Sequence, residues 1–153
     1  MNAEIHIRPA TSADIPAMLS LEQAAPHAAH WPAKTYEEMF NATAPRIMLL
    51  AENTGTLCGF CIGRIGADEC ELENIVVAEA HRRKGLGRRL LSELIAAARA
   101  KNAAHLLLEV RESNQAARAL YESCGFTISS RRKDYYFAPA EDALTYALPL
   151  QLP

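Results

Sequence analysis

The sequence is short of the features that most quickly assign a chain to a class. No stretch approaches the ~20 consecutive apolar residues that cross a bilayer. Met1-Asn2-Ala3-Glu4 has no basic segment followed by an apolar run, so no secretory signal is legible and the chain reads as cytoplasmic. Charge of either sign is nearly balanced, with a formal net charge of −2 and a pI of about 6.2. That balance gives no general reason to expect nucleic acid or an anionic membrane as a partner. No repeat, linker or low-complexity tract interrupts the 153 residues, which suit one domain over 1–153. Half of the residues are hydrophobic, enough for a sizeable core.

Metal and redox chemistry find little support. Cys58 and Cys61 form a C-x-x-C pair, but no second pair and no H-x-x-x-H accompanies it. The pair lies in a run of strand character, where residues three apart are expected on opposite faces. Together with Cys70 and Cys124 they read as plain thiols in a reducing compartment. His6, His27, His30, His81 and His105 are scattered without ligand spacing, so no metal is expected. His81 reads as a surface residue. The Walker A pattern is absent, and the dinucleotide pattern G-x-G-x-x-G fails because Leu90 holds its third glycine position.

What is present is a clear alternation of strand and helix signals. Glu4 to Arg8 reads as a strand ended by Pro9. Ile15, Met18, Leu19 and Glu22 recur at helical spacing after cap-type residues, with Pro16 in the first turn and Pro26 as the stop. His27 to Pro32 is a loop bearing Trp31, and Thr35 to Ala42 a second short helix. Ile47–Glu52 and Leu57–Ile65 flank the turn signal Asn53-Thr54-Gly55 and form a hairpin. After a turn at Asp68-Glu69, Glu71 to Val77 is a further strand. From Gly85 onward, Leu86, Leu90, Leu91, Leu94, Ile95 and Ala98 form one apolar stripe of a long helix. Leu106 to Val110 is an apolar strand, Ser113 to Cys124 a helix stopped by Gly125, and Phe126–Ser130 and Ala143–Leu148 two late strands. The order β-α-α-β-β-β-α-β-α-β-β predicts an α/β (α+β) domain. Its mixed, mostly antiparallel sheet of about seven strands is flanked by four helices.

The most informative motif is Arg82-Arg83-Lys84-Gly85-Leu86-Gly87, followed by Arg88, between the strand ending at Val77 and the long helix. A helix start offers unpaired N–H groups and the positive end of the macrodipole. Gly85 and Gly87 remove side chains there, and the basic residues add charge, so the turn is suited to a pyrophosphate. A basic, glycine-capped helix start without a ligand is the plainer reading.

R-x-x-G-x-G between a strand and a helix resembles the acetyl-CoA signature of the GNAT superfamily of acetyltransferases. Ile7-Arg8-Pro9-Ala10-Thr11-Ser12-Ala13-Asp14-Ile15 and Asn74-Ile75-Val76-Val77 are similar to that family's opening segment and to the strand before its turn. Leu108-Glu109-Val110-Arg111-Glu112-Ser113-Asn114, Ala119-Leu120-Tyr121-Glu122-Ser123-Cys124-Gly125-Phe126, Arg131-Arg132, Tyr135-Tyr136 and Glu141-Asp142-Ala143-Leu144 resemble its ribosomal-protein-alanine branch, the RimI type. So does Trp31-Pro32-Ala33-Lys34-Thr35-Tyr36. Lys133-Asp134 and Phe137-Ala138-Pro139-Ala140 depart from that branch, in a region that would cover the acceptor.

The resemblance implies acetyl-CoA as co-substrate and a protein amino terminus as acceptor, the N-terminal alanine of a small-subunit ribosomal protein. It implies Glu109 as general base and Tyr121 as general acid. Cofactor contacts fall on Ile75, Val76, Val77, Arg82, Arg83, Lys84, Gly85, Leu86, Gly87, Arg88 and Asn114, with the Val77 N–H polarising the thioester carbonyl. Trp31, Tyr36, Tyr135 and Tyr136 are substrate-side candidates. Read from the residues alone, Glu109 interrupts an apolar strand, and such a carboxylate is either functional or paired with an arginine. Tyr121 could equally be core, and Asn114 a helix-start residue. Acetylation of a small amine or a lysine side chain, or a non-catalytic acetyl-CoA-binding or ribosome-interacting module, remain alternatives on the same scaffold.

Overall fold

The computed structural model describes residues 4–25, 28–41, 45–137 and 139–150. Pro26, His27, Ala42 and Ala138, named above, lie outside them, as do Met1 to Ala3. The elements run β1 (His6–Pro9), α1 (Ile15–Gln23), α2 (Ala33–Asn41), β2 (Arg46–Asn53), β3 (Thr56–Gly66), β4 (Glu69–Val77), α3 (Leu86–Ala100), β5 (His105–Arg111), α4 (Gln115–Ser123), β6 (Thr127–Tyr136) and β7 (Glu141–Pro149). Seven strands form one sheet in the order β1-β2-β3-β4-β5-β7-β6. Every neighbouring pair is antiparallel except β4–β5.

Local chemistry sets most boundaries. Thr54 (φ 46°) and Gly55 (φ 83°) give the β2–β3 turn two successive positive φ angles, the type I′ geometry that matches strand twist. Pro9 is the last residue of β1 rather than its terminator. It pairs with Leu49 on an edge strand, where a missing N–H is tolerated. Asn114 caps α4 by accepting from the Ala117 N–H at 3.2 Å. β6 runs well past the expected Ser130, to Tyr136, although its side chains are almost wholly exposed.

Two apolar layers cover the sheet. On one face, Leu86, Leu90, Leu91, Leu94 and Ala98 of α3 and Tyr121 of α4 pack against Cys61, Leu106, Leu108 and Val110. Each leucine buried there contributes on the order of 2 kcal/mol. On the other face, Ile15 and Met18 of α1 and Tyr36 and Met39 of α2 meet Leu50, Phe60, Ile62 and Val76.

Two bulges govern which residue faces which layer. In β3 the register steps from Ala51↔Gly59 to Glu52↔Leu57, leaving Cys58 as the extra residue. Cys58 therefore joins Cys61 beneath α3, against the opposite-face expectation drawn from their spacing. Both are free buried thiols. Burial pushes the Cys61 thiol up to about 12 and raises Cys58 as well. In β4 the register steps from Gly63↔Leu72 to Ile62↔Asn74, leaving Glu73 unpaired. Cys70 and Leu72 face α3 before the bulge. After it, Asn74 and Val76 face α1 and α2 instead.

Candidate active site

β4 and β5 pair only at Glu69↔His105, Cys70↔Leu106 and Glu71↔Leu107. Beyond the Glu73 bulge the two strands separate, and the gap between them opens into a cleft of about 1030 Å³. The Ala78 N–H donates to the Cys58 carbonyl at 2.8 Å, which turns the even-numbered backbone groups of this stretch toward β3. Alternation along a strand then turns the N–H and C=O groups of Ile75 and Val77 into the gap. The Val77 carbonyl is occupied by Arg82 Nε at 3.0 Å.

One end of the cleft is the basic turn. Arg83 (φ 61°) and Gly85 (φ 82°) both take left-handed backbone. Such alternation of backbone hand curls successive N–H groups into an anion-binding hollow. The first α-helical bond of α3 is Arg89 N–H to the Gly85 carbonyl, so the N–H groups of Leu86, Gly87 and Arg88 precede it. The two glycines serve different needs. A Cβ at Gly85 would meet nothing within 4 Å, and its requirement is conformational. A Cβ at Gly87 would stand 3.2 Å from Leu120 Cδ2, so this glycine also lets α3 approach α4. Arg82, Arg83 and Arg88 line the cleft and Lys84 does not. His81, half-buried, lines it too.

The middle of the cleft holds the titratable candidates. Glu109 lies on β5 with its side chain 25% exposed, and its Oε1 stands 3.1 Å from Arg132 Nε. The strand carboxylate thus lines the cleft and also pairs with an arginine. Tyr121 is buried beside Phe126 and Tyr146. Burial holds its phenol well above the usual range. Its hydroxyl has no hydrogen-bond partner among the described residues and is not among the buried orphan atoms. It opens onto the cleft that Tyr121 lines. Asn114 lines the cleft as well, with its Oδ1 committed to capping α4.

The substrate-side candidates separate. Tyr136 lines the cleft, with the Arg111 guanidinium 4.2 Å from its ring centroid. Tyr135 stacks edge-on against Tyr136 at 5.2 Å but is exposed and outside the cleft wall. Tyr36 is not brought to the cleft. It is fully buried, and its hydroxyl donates to Glu22 Oε2 at 2.6 Å. Trp31 packs on the Tyr36 ring at 5.7 Å, and its backbone N–H donates to Glu22 Oε1 at 3.0 Å.

Sequence reasoning passed over five participants. Glu22 is fully buried and accepts from Trp31, Tyr36 and, at 3.1 Å, Asn74 Nδ2, a residue of the cleft wall. The available signal was a carboxylate at an inner position of the α1 stripe. Arg111 lines the cleft and donates to the carbonyls of Pro139 (3.1 Å) and Phe137 (3.3 Å), which fixes the turn after Tyr136. Ala25, Ala28 and Ala29 add small residues to the cleft wall. Among the described residues no group of three or more His, Cys, Asp or Glu side chains could hold a metal ion. None of their helices is long and apolar enough to cross a membrane.

Comparison with known proteins agrees with this geometry. Residues 15–126 match the acetyltransferase (GNAT) family. The chain is 40% identical over 141 residues to the [ribosomal protein bS18]-alanine N-acetyltransferase of Escherichia coli K12, covering 91% of this chain and 93% of that one. It is 41% identical over 99 residues, 62% of this chain and 61% of the other, to the N-alpha-acetyltransferase RimI of Mycobacterium tuberculosis. The crystal structure of the ribosomal-protein-S18-alanine N-acetyltransferase from E. coli superimposes with a TM-score of 0.86 at 36% identity, over 98% of this chain and 96% of that one. A structure of yncA from Salmonella typhimurium with its cofactor acetyl-CoA shares the fold, with a TM-score of 0.83 at 23% identity over 99% and 96% of the chains. With a phosphate-suited turn, an opened strand pair and a family match over most of its length, this chain belongs to the acetyltransferase (GNAT) family.

Proposed function

We propose that the protein transfers the acetyl group of acetyl-CoA to the α-amine of a protein amino terminus, with the N-terminal alanine of ribosomal protein bS18 as acceptor. The observation that carries this reading is the gap between β4 and β5. It joins the glycine-bearing turn, Glu109 and Tyr121 within one cleft. The relatives that cover nine-tenths of the chain are named for that acceptor. Such work belongs in the cytoplasm, and free buried thiols suit that compartment.

The residues fit the co-substrate. The N–H groups of Leu86, Gly87 and Arg88, with the Arg82, Arg83 and Arg88 side chains, would hold the pyrophosphate, and Lys84 stands outside the cleft. Ile75, Val76 and Val77 would run beside the pantetheine arm, and the Asn114 amide would contact it. When bound, acetyl-CoA supplies an acyl group activated as a thioester.

The remaining steps belong to the chain. The incoming α-amine has a reference pKa near ~8 and arrives largely protonated. Glu109 accepts its proton, freeing the lone pair for attack on the carbonyl carbon. The Val77 N–H faces the gap and stabilises the negative charge that develops on the carbonyl oxygen. As the carbon–sulfur bond breaks, the Tyr121 hydroxyl donates to the sulfur; its oxygen recovers a proton as the nitrogen sheds its second to become an amide, and Glu109 releases the first to solvent. A phenol held above its ordinary range arrives there protonated. Tyr136, Asn74 and the alanine wall of Ala25, Ala28 and Ala29 bound the space beside the amine.

The test is a panel of acceptors with acetyl-CoA, followed by release of free thiol. An alanine-starting bS18 peptide, an amino-blocked lysine peptide and polyamines are compared. Turnover confined to the first is expected. Preferred turnover of lysine or polyamine would assign the cleft to another acceptor class, and tight coenzyme A binding without turnover would make the protein a binding module.

A further inference from the structure

Resting on that reading, we propose that Arg132 is a specificity-determining residue: it occupies the acceptor's ammonium position on Glu109 in the free enzyme and yields it to a charged amino terminus but not to an acetylated one. The two neighbouring arginines of β6 are held very differently. Arg131 is bound twice, by Glu112 at 2.8 Å and Asp142 at 2.9 Å. Arg132 has one ion-pair partner among the described residues, Glu109, and its side chain is 59% exposed. Arg111, the other cation beside Glu109 on β5, is committed to Tyr136 and to the carbonyls of Phe137 and Pro139. Of these three cations, Arg132 is the one that can leave.

The backbone around it allows that departure. After a bulge at Ser129, β6 and β7 pair without a break from Ser130↔Thr145 to Arg132↔Ala143 and resume only at Tyr136↔Glu141. The residues between form an irregular segment with Asp134 at φ 53°. Arg132 therefore stands at the edge of the regular ladder. A second resting place is already beside it, because its guanidinium lies 5.2 Å from the Tyr135 ring centroid. An arginine released from the carboxylate can settle on that aromatic face.

An exposed ion pair of this kind exchanges readily with a competing cation. The α-ammonium of an acceptor carries the same charge as the guanidinium and must reach the same carboxylate for its proton to be taken. It displaces Arg132, gives one proton to Glu109, which passes it to solvent, and sheds its second as the amide forms. The amide is neutral and no longer competes, so Arg132 returns to the deprotonated Glu109 and the product keeps no hold on it. The pair thus discriminates between substrate and product by charge, without any contact to the rest of the peptide.

The experiment compares the wild type with Arg132→Ala and Arg132→Lys, using an alanine-starting bS18 peptide and its Nα-acetylated form. Calorimetric affinities for both peptides are measured with coenzyme A present, beside steady-state turnover. The affinity ratio of free to acetylated peptide is expected to rise roughly tenfold in Arg132→Ala through tighter binding of the free form, the gain expected when one competing charge is removed. Arg132→Lys should restore most of the ratio, and coenzyme A affinity should not move in either variant. An unchanged ratio overturns the proposal. So does weaker binding of both peptides, which would make Arg132 a direct peptide contact, and so does a failure of either peptide to bind. Wild-type turnover decides the acceptor separately: a bS18 peptide that binds with a normal ratio shift but is not acetylated sinks the acceptor assignment and leaves Arg132 in its role.

Discussion

The Tyr36 hydroxyl donates to Glu22 Oε2 at 2.6 Å, and that carboxylate is fully buried with no cation among its described partners. Three donors replace the missing counter-charge, from Trp31, Asn74 and Tyr36. Tyr36→Phe removes one of them and should lower stability by about 1–3 kcal/mol, the cost of leaving a buried acceptor short. Urea unfolding measures it, and an unchanged midpoint would show that the carboxylate does not depend on the phenol.

Tyr121→Phe separates chemistry from packing. The hydroxyl has no partner among the described residues, while the ring packs on Phe126 and Tyr146. The melting temperature should stay within a degree or two while kcat falls by roughly 10²-fold, the usual contribution of a positioned acid. A variant with full activity would return Tyr121 to a purely structural role.

For Glu109→Gln the expected loss is roughly 10²-fold or more in turnover with acetyl-CoA affinity preserved, as for removal of a general base. The decisive readout is the pH–rate profile. If its acidic limb persists unaltered along with the rate, another group takes the amine's proton.

Gly85→Ala places a Cβ on a residue at φ 82° in open space, so its effect is backbone strain of about 1–2 kcal/mol rather than collision. The KM for acetyl-CoA should rise several-fold as the turn relaxes away from this shape. The kcat at saturation should change little. A fall in kcat with unchanged KM would contradict the anion-cradle role.

The Arg8 guanidinium, bonded to Asp14 at 2.8 Å, holds that carboxyl well below the usual range, at about 2. A lowered folded-state value stabilises above the unfolded pKa near ~4 and is lost as pH falls through about 2. Because Arg8 is partly exposed, the contribution is on the order of 1 kcal/mol. Acid unfolding of Asp14→Asn should lose part of its pH dependence between about 4 and 2. An identical acid transition would refute the coupling.

Where a periodic apolar signal existed, the sequence was readable. The α3 stripe and the β5 run appear close to their expected bounds because burial on one known face dictates them. The strand signal of β6 stops at Ser130 because its continuation, Arg131 to Tyr136, is held by pairing with β7 and carries no burial pattern. Cys58 shares a face with Cys61, against their spacing, because a bulge adds a residue that no side-chain pattern announces. In the cleft, the basic turn was legible from glycines and charge. Tyr36 was not, because an aromatic beside a loop looks alike whether its hydroxyl meets a ligand or a buried Glu22. Arg132 passed unseen as an individual, since only the folded register sets it apart from Arg131.

Glu73 occupies one place too many on β4. Facing in a strand is counted in twos, so that surplus place reverses inside and outside for everything up to Val77. Replacing Glu73 with another amino acid leaves the tally intact, whereas deleting it would restore even counting, swing Asn74 away from Glu22 and let β4 run on beside β5. The vacancy is therefore owned by the backbone's arithmetic and by no side chain along its rim. Exchanging a rim residue such as Ala25, Ala29 or Tyr136 leaves that count unaltered, so what the cleft accepts is free to vary while the opening itself persists.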